Sequence, residues 1–420
     1  MAERAPLHGM EILAHRMPQQ DQALFWEPGQ PKMLLTSYPV AEMEWLRQRT
    51  SLPPVANLSP TYESGSLFAD LLADERVLAH LVAYIGSRRS FRLVPRTTTN
   101  DLWSFVDAMW KRFGIVAHLP ESSGNQAWRD CLDTKSGLRA LISQAQRHHA
   151  SCRVPRGVSC RGPNQALAEA TKFLSQGIAC IVKPDQGEAG AGMLIFRPDE
   201  RPVDIARRLS RSAFFGNDRI VVEEYISGAA TAYPSLEFVV PPDRTASPRL
   251  TLVCDAFFRD SIHPRGGVSS PDLVHQPWYG PFVTAGRALA HELQQRGYRG
   301  YFGLDAVVQR RDVYLVDLNP RRTAFTHLHD YAVHSYGPED AHRQTVGNYD
   351  FYNLPEGMDL TAILKRLGPL VRSPQVSTHG VLPFELTGLE VGRLSCLVHA
   401  RCLAEYYELI GLIGHLLERG

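Results

Sequence analysis

The sequence has no long hydrophobic run. No stretch approaches the roughly 18 consecutive apolar residues that a membrane-spanning helix needs. Its first residues, MAERAPLHGMEILAHRMPQQDQ, also lack the apolar centre of a signal peptide. We therefore expect a cytoplasmic protein with no membrane partner.

An excess of one charge sign is missing as well. The chain carries 45 basic and 44 acidic residues, a formal net charge of +1. Proteins that bind the phosphate backbone of nucleic acids concentrate positive charge. The balance therefore gives no reason to expect a nucleic-acid partner.

Cysteine and histidine occur without the spacings that metal sites use. The seven cysteines form no CxxC pair, and the sixteen histidines form no HExxH-like group. This distribution indicates reduced thiols and argues against a zinc site or a disulfide framework.

The length and composition point to a globular protein of several domains. A chain of 420 residues with 44% hydrophobic and 21% charged residues is too long for one ordinary core. Strands alternate with helices through the first section, which predicts an N-terminal α/β domain. Later sections are α+β in pattern. We expect boundaries that give sections 1–128, 129–217, 218–345 and 346–420.

The C-terminal section ends in an amphipathic helical pattern. Packing against the rest of the chain is the simplest use for this apolar stripe, and a homodimer contact is the alternative. The stripe consists of Leu403, Tyr406, Tyr407, Ile410, Ile413 and Leu417.

A glycine cluster stands beside a lysine in IVKPDQGEAGAGMLIF, residues 181–196. A Rossmann loop has the spacing GxGxxG and leads into a helix, whereas here the spacing is GxxGxG and a strand follows. A P-loop has its lysine after the glycines, and here Lys183 precedes them. Two readings remain: a plain hairpin, or a mobile flap whose backbone N–H groups meet phosphate oxygens with Lys183 at its base.

Two acids and an asparagine end apolar strands in YFGLDAVVQRRDVYLVDLN. Asp317 and Asn319 share one face of their strand because side chains alternate. A two-residue loop would pair Asp305 with Val316 and turn its carboxylate away. We predict a three-residue loop, or a bulge with the same effect, that pairs Asp305 with Asp317. Such a set of oxygen ligands suits Mg²⁺.

Four further positions carry charge where a phosphate or a carboxylate would need it. Arg321 follows the acid set, and we favour it over Arg322 as the residue nearer to the metal. Lys135 precedes a helical pattern, and Arg265 lies in a predicted loop at 260–277 that would border an acyl site. A plain surface role is the alternative for each of these residues.

The strand RIVVEEYI would present acid and backbone groups to an adenine edge. In this reading a glutamate carboxylate accepts from the exocyclic amine, and the backbone of Tyr225 and Ile226 contacts the ring. Glutamates at a sheet edge are also common without any ligand.

Taken in order, these motifs resemble the ATP-grasp superfamily over roughly residues 129–340. The resemblance implies an α/β N-terminal domain followed by a two-lobed α+β ATP-grasp fold, with ATP and Mg²⁺ as cofactors. It implies Asp305, Asp317 and Asn319 as metal ligands, and Arg321, Lys183 and Arg265 as catalytic groups. The nucleotide-binding residues that it implies are Lys135, Lys183, Gly187, Glu188, Ala189, Gly190, Gly192, Glu223, Glu224, Tyr225 and Ile226.

The sequence departs from the superfamily at the ribose. Residues 223–226 would be the segment that contacts adenine, called the hinge. Many members carry an acid shortly after the hinge, where this sequence has Ala229 and Ala230. Glu237 or a backbone group would then take its place.

The activity implied by the resemblance is ATP-dependent amide formation from a carboxylate and an amine, with amino acids or short peptides as substrates. Two alternatives remain. One is a kinase that uses the same ATP site, and the other is a nucleotide-binding regulatory protein without turnover.

Overall fold

The computed structural model describes residues 19–61, 64–119, 125–145, 152–187, 190–228, 231–259, 262–372 and 379–418. The chain divides into two compact units. The terminal unit comprises Met1–Ser122, Gly266–Asp272 and Thr323–Gly420, and the central unit comprises Ser123–Arg265 and Leu273–Arg322. The finer division into four sections stays a prediction.

The described residues form twelve α-helices and seventeen strands. The helices are α1 Met43–Thr50, α2 Leu67–Ala73, α3 Glu75–Ile85, α4 Asn100–Phe113, α5 Gln126–Leu132, α6 Lys135–Ala145, α7 Gly162–Ser175, α8 Pro202–Arg211, α9 Tyr279–Gln295, α10 Thr326–Tyr336, α11 Leu360–Leu367 and α12 Leu403–Glu418. The strands are β1 Lys32–Leu35, β2 Val55–Leu58, β3 Ser90–Arg92, β4 Val116–His118, β5 Gly157–Arg161, β6 Cys180–Pro184, β7 Leu194–Phe196, β8 Arg219–Glu224, β9 Thr231–Ala232, β10 Pro234–Val240, β11 Arg249–Phe258, β12 Pro264–Ser269, β13 Gly300–Gln309, β14 Asp312–Asn319, β15 Thr345–Tyr352, β16 Gly380–Phe384 and β17 Arg393–Ala400.

The N-terminal part of the terminal unit is α/β, as the alternating pattern predicted. Strands β1 and β2 pair in parallel, and so do β3 and β4. Helices α2, α3 and α4 lie between them in sequence and bury their apolar faces in a common core. Helix α4 ends at Gly114, whose φ of 63° is the left-handed conformation that terminates many helices.

The central unit contains two antiparallel sheets. The first has the order β5-β8-β6-β7, and helices α7 and α8 share a core with it. The second runs β14-β13-β10-β11, with β9 paired to β13. Helix α9 approaches β10 closely at Gly286, where a Cβ would lie 2.6 Å from Leu236 Cδ1. Two sheets with helices packed on them give the α+β pattern expected for this part of the chain.

The C-terminal part of the terminal unit is an antiparallel sheet in the order β12-β15-β17-β16. The predicted loop at 260–277 is wrong in its middle, because Pro264–Ser269 is a strand whose Gly266 pairs with Tyr349. Glycine suits this strand, since a Cβ on Gly266 would collide with the carbonyl of Asn348. Local composition suggested a loop, and pairing with β15 overrides it.

Helix α12 covers this sheet with only part of the predicted stripe. Tyr406, Ile413 and Leu417 are buried, and the Tyr406 hydroxyl donates to the carbonyl of Asn348 at 3.1 Å. Tyr407 is 46% exposed, so its inclusion in the packed face was wrong. Within the described ranges, no helix is both long enough and apolar enough to cross a membrane.

Candidate active site

The glycine cluster joins two strands of one hairpin, as its flanking sequences predicted. Strands β6 and β7 pair antiparallel, with Cys180 opposite Phe196. We call residues 185–193 between them the flap. Gly190 and Gly192 have φ angles of 79° and 76°, which other residues rarely adopt. Glu188 and Ala189 lie outside the described residues.

The flap glycines also permit close packing. A Cβ on Gly190 would collide with Ile262, and one on Gly192 would collide with the ring of Phe214. Gly187 is exposed, and the nearest atom to a Cβ there would be the Ala191 carbonyl oxygen at 3.4 Å. The glycines therefore provide both the backbone conformation and the space that this hairpin requires.

Lys183 lies near the end of β6 and is buried in an ion pair. Its Nζ is 2.6 Å from Glu223 Oε2 on the neighbouring strand β8. Arg139 of α6 donates to the other oxygen of the same carboxylate, also at 2.6 Å. Glu223 is thus held by two cations, and its expected contact with an adenine edge stays a prediction. Arg139, which the sequence analysis did not identify, completes this buried cluster.

The adjacent hinge residues already use part of their hydrogen-bonding capacity. Glu224 accepts from Arg156 Nε at 2.8 Å, and its own N–H donates to the Arg156 carbonyl. The N–H of Tyr225 donates to the Ala179 carbonyl at 2.8 Å. That N–H is therefore not available to a purine ring in this arrangement. Ala229 and Ala230, where an acid was missing, lie outside the described residues.

The predicted acid set forms through a bulge. Gln309 pairs with Asp312 across a two-residue turn, in which Arg310 has φ 61°. This loop length alone would turn Asp305 away from Asp317. The register shifts between Asp305 and Ala306, however, so that Asp305 pairs with Asp317. The predicted pairing is confirmed, and the bulge is its cause.

The three predicted metal ligands have neighbours that the sequence did not indicate. Asn319 Nδ2 donates to Asp305 Oδ2 at 2.9 Å, and the hydroxyl of Ser235 donates to Asp305 Oδ1 at 2.6 Å. Ser235 lies on β10 directly opposite Asp305. Because cross-strand pairing alone brings Ser235 to this position, only the sheet order could have identified it.

The acid set suits a divalent cation. Burial, together with the negative charge of Asp317, raises the pKa of Asp305 to about 6. A bound cation would offset both effects, since two carboxylates and an amide are hard oxygen ligands of the kind Mg²⁺ prefers. Across the part of the chain that the structure describes, no three His, Cys, Asp or Glu side chains group as a metal site. The predicted set contains only two acids, and the amide of Asn319 would supply the third oxygen.

Lys135 reaches the acid set from helix α6. Its side chain is buried, and its Nζ lies 3.6 Å from Asp317 Oδ1. The fold thus places side by side two residues that are far apart in sequence and that were predicted separately.

Arg321 is held beside the same set by an acid that the sequence analysis missed. Its guanidinium pairs with Asp133, which also accepts from Arg129 at 3.0 Å. Burial raises the pKa of the Asp133 carboxyl, and the two arginines oppose that rise. Asp133 stands two residues before Lys135, so its position next to a predicted site residue was the available signal.

The remaining predicted residues lie elsewhere in the chain. Arg322 is fully buried, with its guanidinium 4.1 Å from the centre of the Tyr301 ring. Arg265 is half-buried on β12, and its catalytic role stays a prediction. Glu237 is buried on β10, where it accepts from Thr251 at 3.5 Å through a carboxylate oxygen.

Residues 148–325 match the family model of the ATP-grasp domain. No curated protein sequence matches the chain significantly. Among solved structures, an ADP complex of N5-carboxyaminoimidazole ribonucleotide synthetase is similar with a TM-score of 0.59 and 15% identity, over 93% of this chain and 97% of that one. The same enzyme from Thermus thermophilus has a TM-score of 0.56 and 12% identity, over 96% of this chain and 97% of that one. A biotin carboxylase β-γ-ATP complex from Campylobacter jejuni has a TM-score of 0.57 and 13% identity, over 93% of this chain and 86% of that one.

The chain therefore has the ATP-grasp fold, preceded by an N-terminal domain, which confirms the predicted fold class. Residues 148–325 are the part of the chain that matches the ATP-grasp domain model. The similar structures cover nearly the whole chain, so the likeness in fold extends well beyond the matched domain.

Proposed function

We propose that this protein is an ATP-dependent ligase that forms an amide bond between a carboxylate and an amine. The observation that carries the proposal is the approach of Lys135 Nζ to Asp317 Oδ1, at 3.6 Å, beside the cross-strand pair of Asp317 with Asp305. A buried cation next to two carboxylates suits a site where phosphate oxygens and a metal ion meet. Arg321 adds a second fixed cation nearby through its pair with Asp133.

The proposed nucleotide site lies between the flap and the acid set. Lys183 at the base of the flap would move part of its pairing from Glu223 to phosphate oxygens. The N–H groups of Gly187, Gly190 and neighbouring flap residues would cover the phosphates. Since the Tyr225 N–H is occupied, the adenine edge would be read by the N–H of Ile226 and by backbone carbonyls.

Asp305, Asp317 and Asn319 would hold Mg²⁺ in this site. When bound, the ion would supply positive charge to the β- and γ-phosphates. Ser235 would keep its hydrogen bond to Asp305 and so fix the orientation of that carboxylate.

The chemistry would proceed in two steps. An oxygen of the substrate carboxylate attacks the γ-phosphorus, the bond to the β-phosphate oxygen breaks, and ADP leaves. Lys135, Lys183 and Arg321 stabilise the charge that spreads over the transferred group. The amine then attacks the acyl carbon, phosphate leaves with the C–O bond electrons, and the amine loses a proton. Arg265 would contact a substrate carboxylate, and the closed flap would exclude water from the acyl-phosphate.

Amino acids or short peptides are the proposed substrates. The order of an α/β domain, an ATP-grasp domain and a C-terminal sheet with a GVLPFEL…GRLSCLVHA segment resembles the peptide ligase of pheganomycin biosynthesis. That layout supports a peptide ligase within the broader class of carboxylate–amine ligases.

Trapping with hydroxylamine tests the proposal. The protein is incubated with MgATP, single amino acids or dipeptides, and hydroxylamine, and both ADP and hydroxamate are measured. We expect hydroxamate to form in step with ADP for the correct acid, because hydroxylamine intercepts an activated acyl group. A stable phosphorylated product without hydroxamate would show a kinase instead and overturn the ligase proposal.

A further inference from the structure

Asp185 connects the two lysines of the proposed nucleotide site. It follows Lys183 by two residues, at the point where strand β6 passes into the flap. On the other side it meets the first turn of helix α6, which begins at Lys135. Asp185 therefore touches the elements that carry both lysines.

The backbone N–H groups at the start of α6 are satisfied in an unusual way. The Lys135 N–H donates to the Asp185 carbonyl at 3.0 Å, and the Ser136 N–H donates to Asp185 Oδ1 at 2.7 Å. The hydroxyl of Thr134, the residue before the helix, accepts from the Gly137 N–H at 2.9 Å. The first N–H groups of a helix have no partner within the helix. Here a residue about fifty positions away accepts from two of them.

Side chains close this connection into a small network. The Ser136 hydroxyl donates to Asp185 Oδ2 at 2.8 Å, and Arg219 Nη1 donates to the same hydroxyl at 3.3 Å. The N–H of Asp185 in turn donates to the Arg219 carbonyl at 3.2 Å. Asp185 is thus fixed to strand β8 through its backbone and to helix α6 through its carboxylate.

We propose that Asp185 is a positioning residue that fixes Lys135 at the acid set and ties it to the base of the flap. The inference rests on the proposed ATP-dependent function and goes beyond it by assigning a role to a residue outside the nucleotide contacts. The mechanical reason is simple. Lys135 is the first residue of α6, so the orientation of its side chain depends on how the first turn is held. Loss of the carboxylate would remove its two bonds to Ser136 and so loosen that turn, although Lys135 itself would still be present.

The test compares MgATP affinity with stability for matched variants. Asp185→Ala should weaken MgATP binding, measured by calorimetry, by about tenfold, because positioning losses of this kind are large. Asp185→Asn keeps an acceptor for the Ser136 N–H and should stay within about threefold of the unmodified protein. Asp359→Ala is the matched control, since Asp359 caps helix α11 at the Ala362 N–H with a 2.8 Å bond. It should lower the melting temperature comparably and leave MgATP affinity unchanged.

A double-mutant cycle with Lys135→Met shows whether Asp185 acts through Lys135. In the Lys135→Met background, Asp185→Ala should change affinity by less than about twofold, because coupled residues are not additive. Ser136→Ala, which removes one bond to Asp185, provides the same cycle if Asp185→Ala does not fold. Full additivity, or unchanged affinity in Asp185→Ala, would overturn the inference. Failure of the proposed ligase function would look different, since the unmodified protein would then form no hydroxamate, whatever the effect of Asp185→Ala on MgATP affinity.

Discussion

Glu223 and Glu224 are neighbours in sequence whose ion pairs lie in different surroundings. Glu223 is 3% exposed and is held by Lys183 and Arg139, which are buried or nearly so. Glu224 pairs with Arg156, whose side chain is 61% exposed. Alternation along β8 sends the two carboxylates to opposite faces of the sheet. The same residue type therefore has two energetic roles at adjacent positions.

Replacing each glutamate by glutamine measures this difference. Glu223→Gln should lower the free energy of unfolding by about 3 kcal/mol, because it leaves two buried cations without their carboxylate. Glu224→Gln should lower it by less than about 1 kcal/mol, since its partner is exposed to water. Urea unfolding of both variants checks the prediction. Equal losses would show that burial of the Glu223 cluster has no energetic consequence.

Asp317 is the residue whose loss should affect catalysis most directly. It pairs with Asp305 across the sheet and approaches Lys135, so it belongs to both the proposed metal set and the proposed phosphate contacts. Asp317→Ala should reduce substrate-dependent ADP release by at least about 100-fold, an effect typical of lost electrostatic stabilisation. Asp312→Ala is the control, because Asp312 begins the same strand and forms an exposed pair with Arg153. Substantial ADP release by Asp317→Ala would refute the metal assignment.

At the scale of single residues, sequence reasoning reached the groups that lie on recognisable motifs. Lys183, Asp305, Asp317 and Asn319 could be predicted because strand alternation and glycine spacing are local patterns. Ser235 and Arg139 could not, because no spacing along the chain relates them to the acids that they contact. Glu223 was predicted as an adenine contact, and its ion pairs with Lys183 and Arg139 were not predicted. A strand pattern gives the face of a side chain and does not show which cation faces it.

At the scale of elements, the flap depends on glycine more than an ordinary hairpin loop does. Gly190 combines a φ of 79° with a position where a Cβ would collide with both the side chain and the carbonyl of Ile262. Gly177, at the end of α7, has a similar φ of 74° but open space around it. A comparison of these two glycines therefore distinguishes the cost of a left-handed backbone from the cost of a packing clash.

Alanine at these two glycines should therefore have different consequences. Both variants should lose about 1 kcal/mol of stability from the left-handed backbone, as measured by urea unfolding. Only Gly190→Ala should also raise the KM for ATP, by about tenfold or more, because the flap can no longer pack against Ile262. If Gly177→Ala raises KM equally, the effect comes from general destabilisation and the flap contact is not responsible.

The hairpin of β13 and β14 shows where element-level prediction reaches its limit. Pairing of Asp305 with Asp317 was predicted from the need to bring ligands together, with a longer turn or a bulge as its cause. The turn is two residues long, and the bulge between Asp305 and Ala306 restores the face. The residue without a partner in the register is Val316 on β14, and nothing in the letters VYLVDLN marks it.

At the scale of the whole molecule, the terminal unit joins distant parts of the chain through buried acids. Asp21 accepts from the N–H and the hydroxyl of Thr387, at 3.1 and 2.8 Å. Glu385 and Arg393 lie close by, and Arg393 also pairs with Asp350 at 2.9 Å. Burial raises the pKa of Asp21 to about 7, with a smaller contribution from the charge of Glu385.

This raised pKa makes stability depend on pH. The folded Asp21 carboxyl keeps its proton up to about pH 7, while the unfolded one loses it near 3.8. Its contribution to stability is therefore greatest below about pH 4 and falls as pH rises towards 7. Asp21→Asn should remove this part of the pH dependence and stabilise the protein at pH 8 by about 4 kcal/mol, since each of the roughly three pKa units corresponds to about 1.4 kcal/mol.

Urea unfolding of both proteins at pH 5 and pH 8 measures the difference. Burial also raises the pKa of Asp350. Asp350 is present in both proteins, so the difference between their pH profiles comes from Asp21. Parallel pH profiles would show that Asp21 is ionised throughout the range in the folded protein.

The bond between Asp21 and Thr387 spans 366 positions and has a consequence during synthesis on the ribosome. The hydrogen-bond donors of Thr387 are synthesised after Asp21, roughly 20–70 s later at ordinary elongation rates. The central unit has been synthesised by then, because all of it precedes Thr387 in sequence. The segment around Asp21 therefore gains these hydrogen bonds only after the central unit has been made, so a chaperone that shields this segment would act on a part of the molecule that matures late.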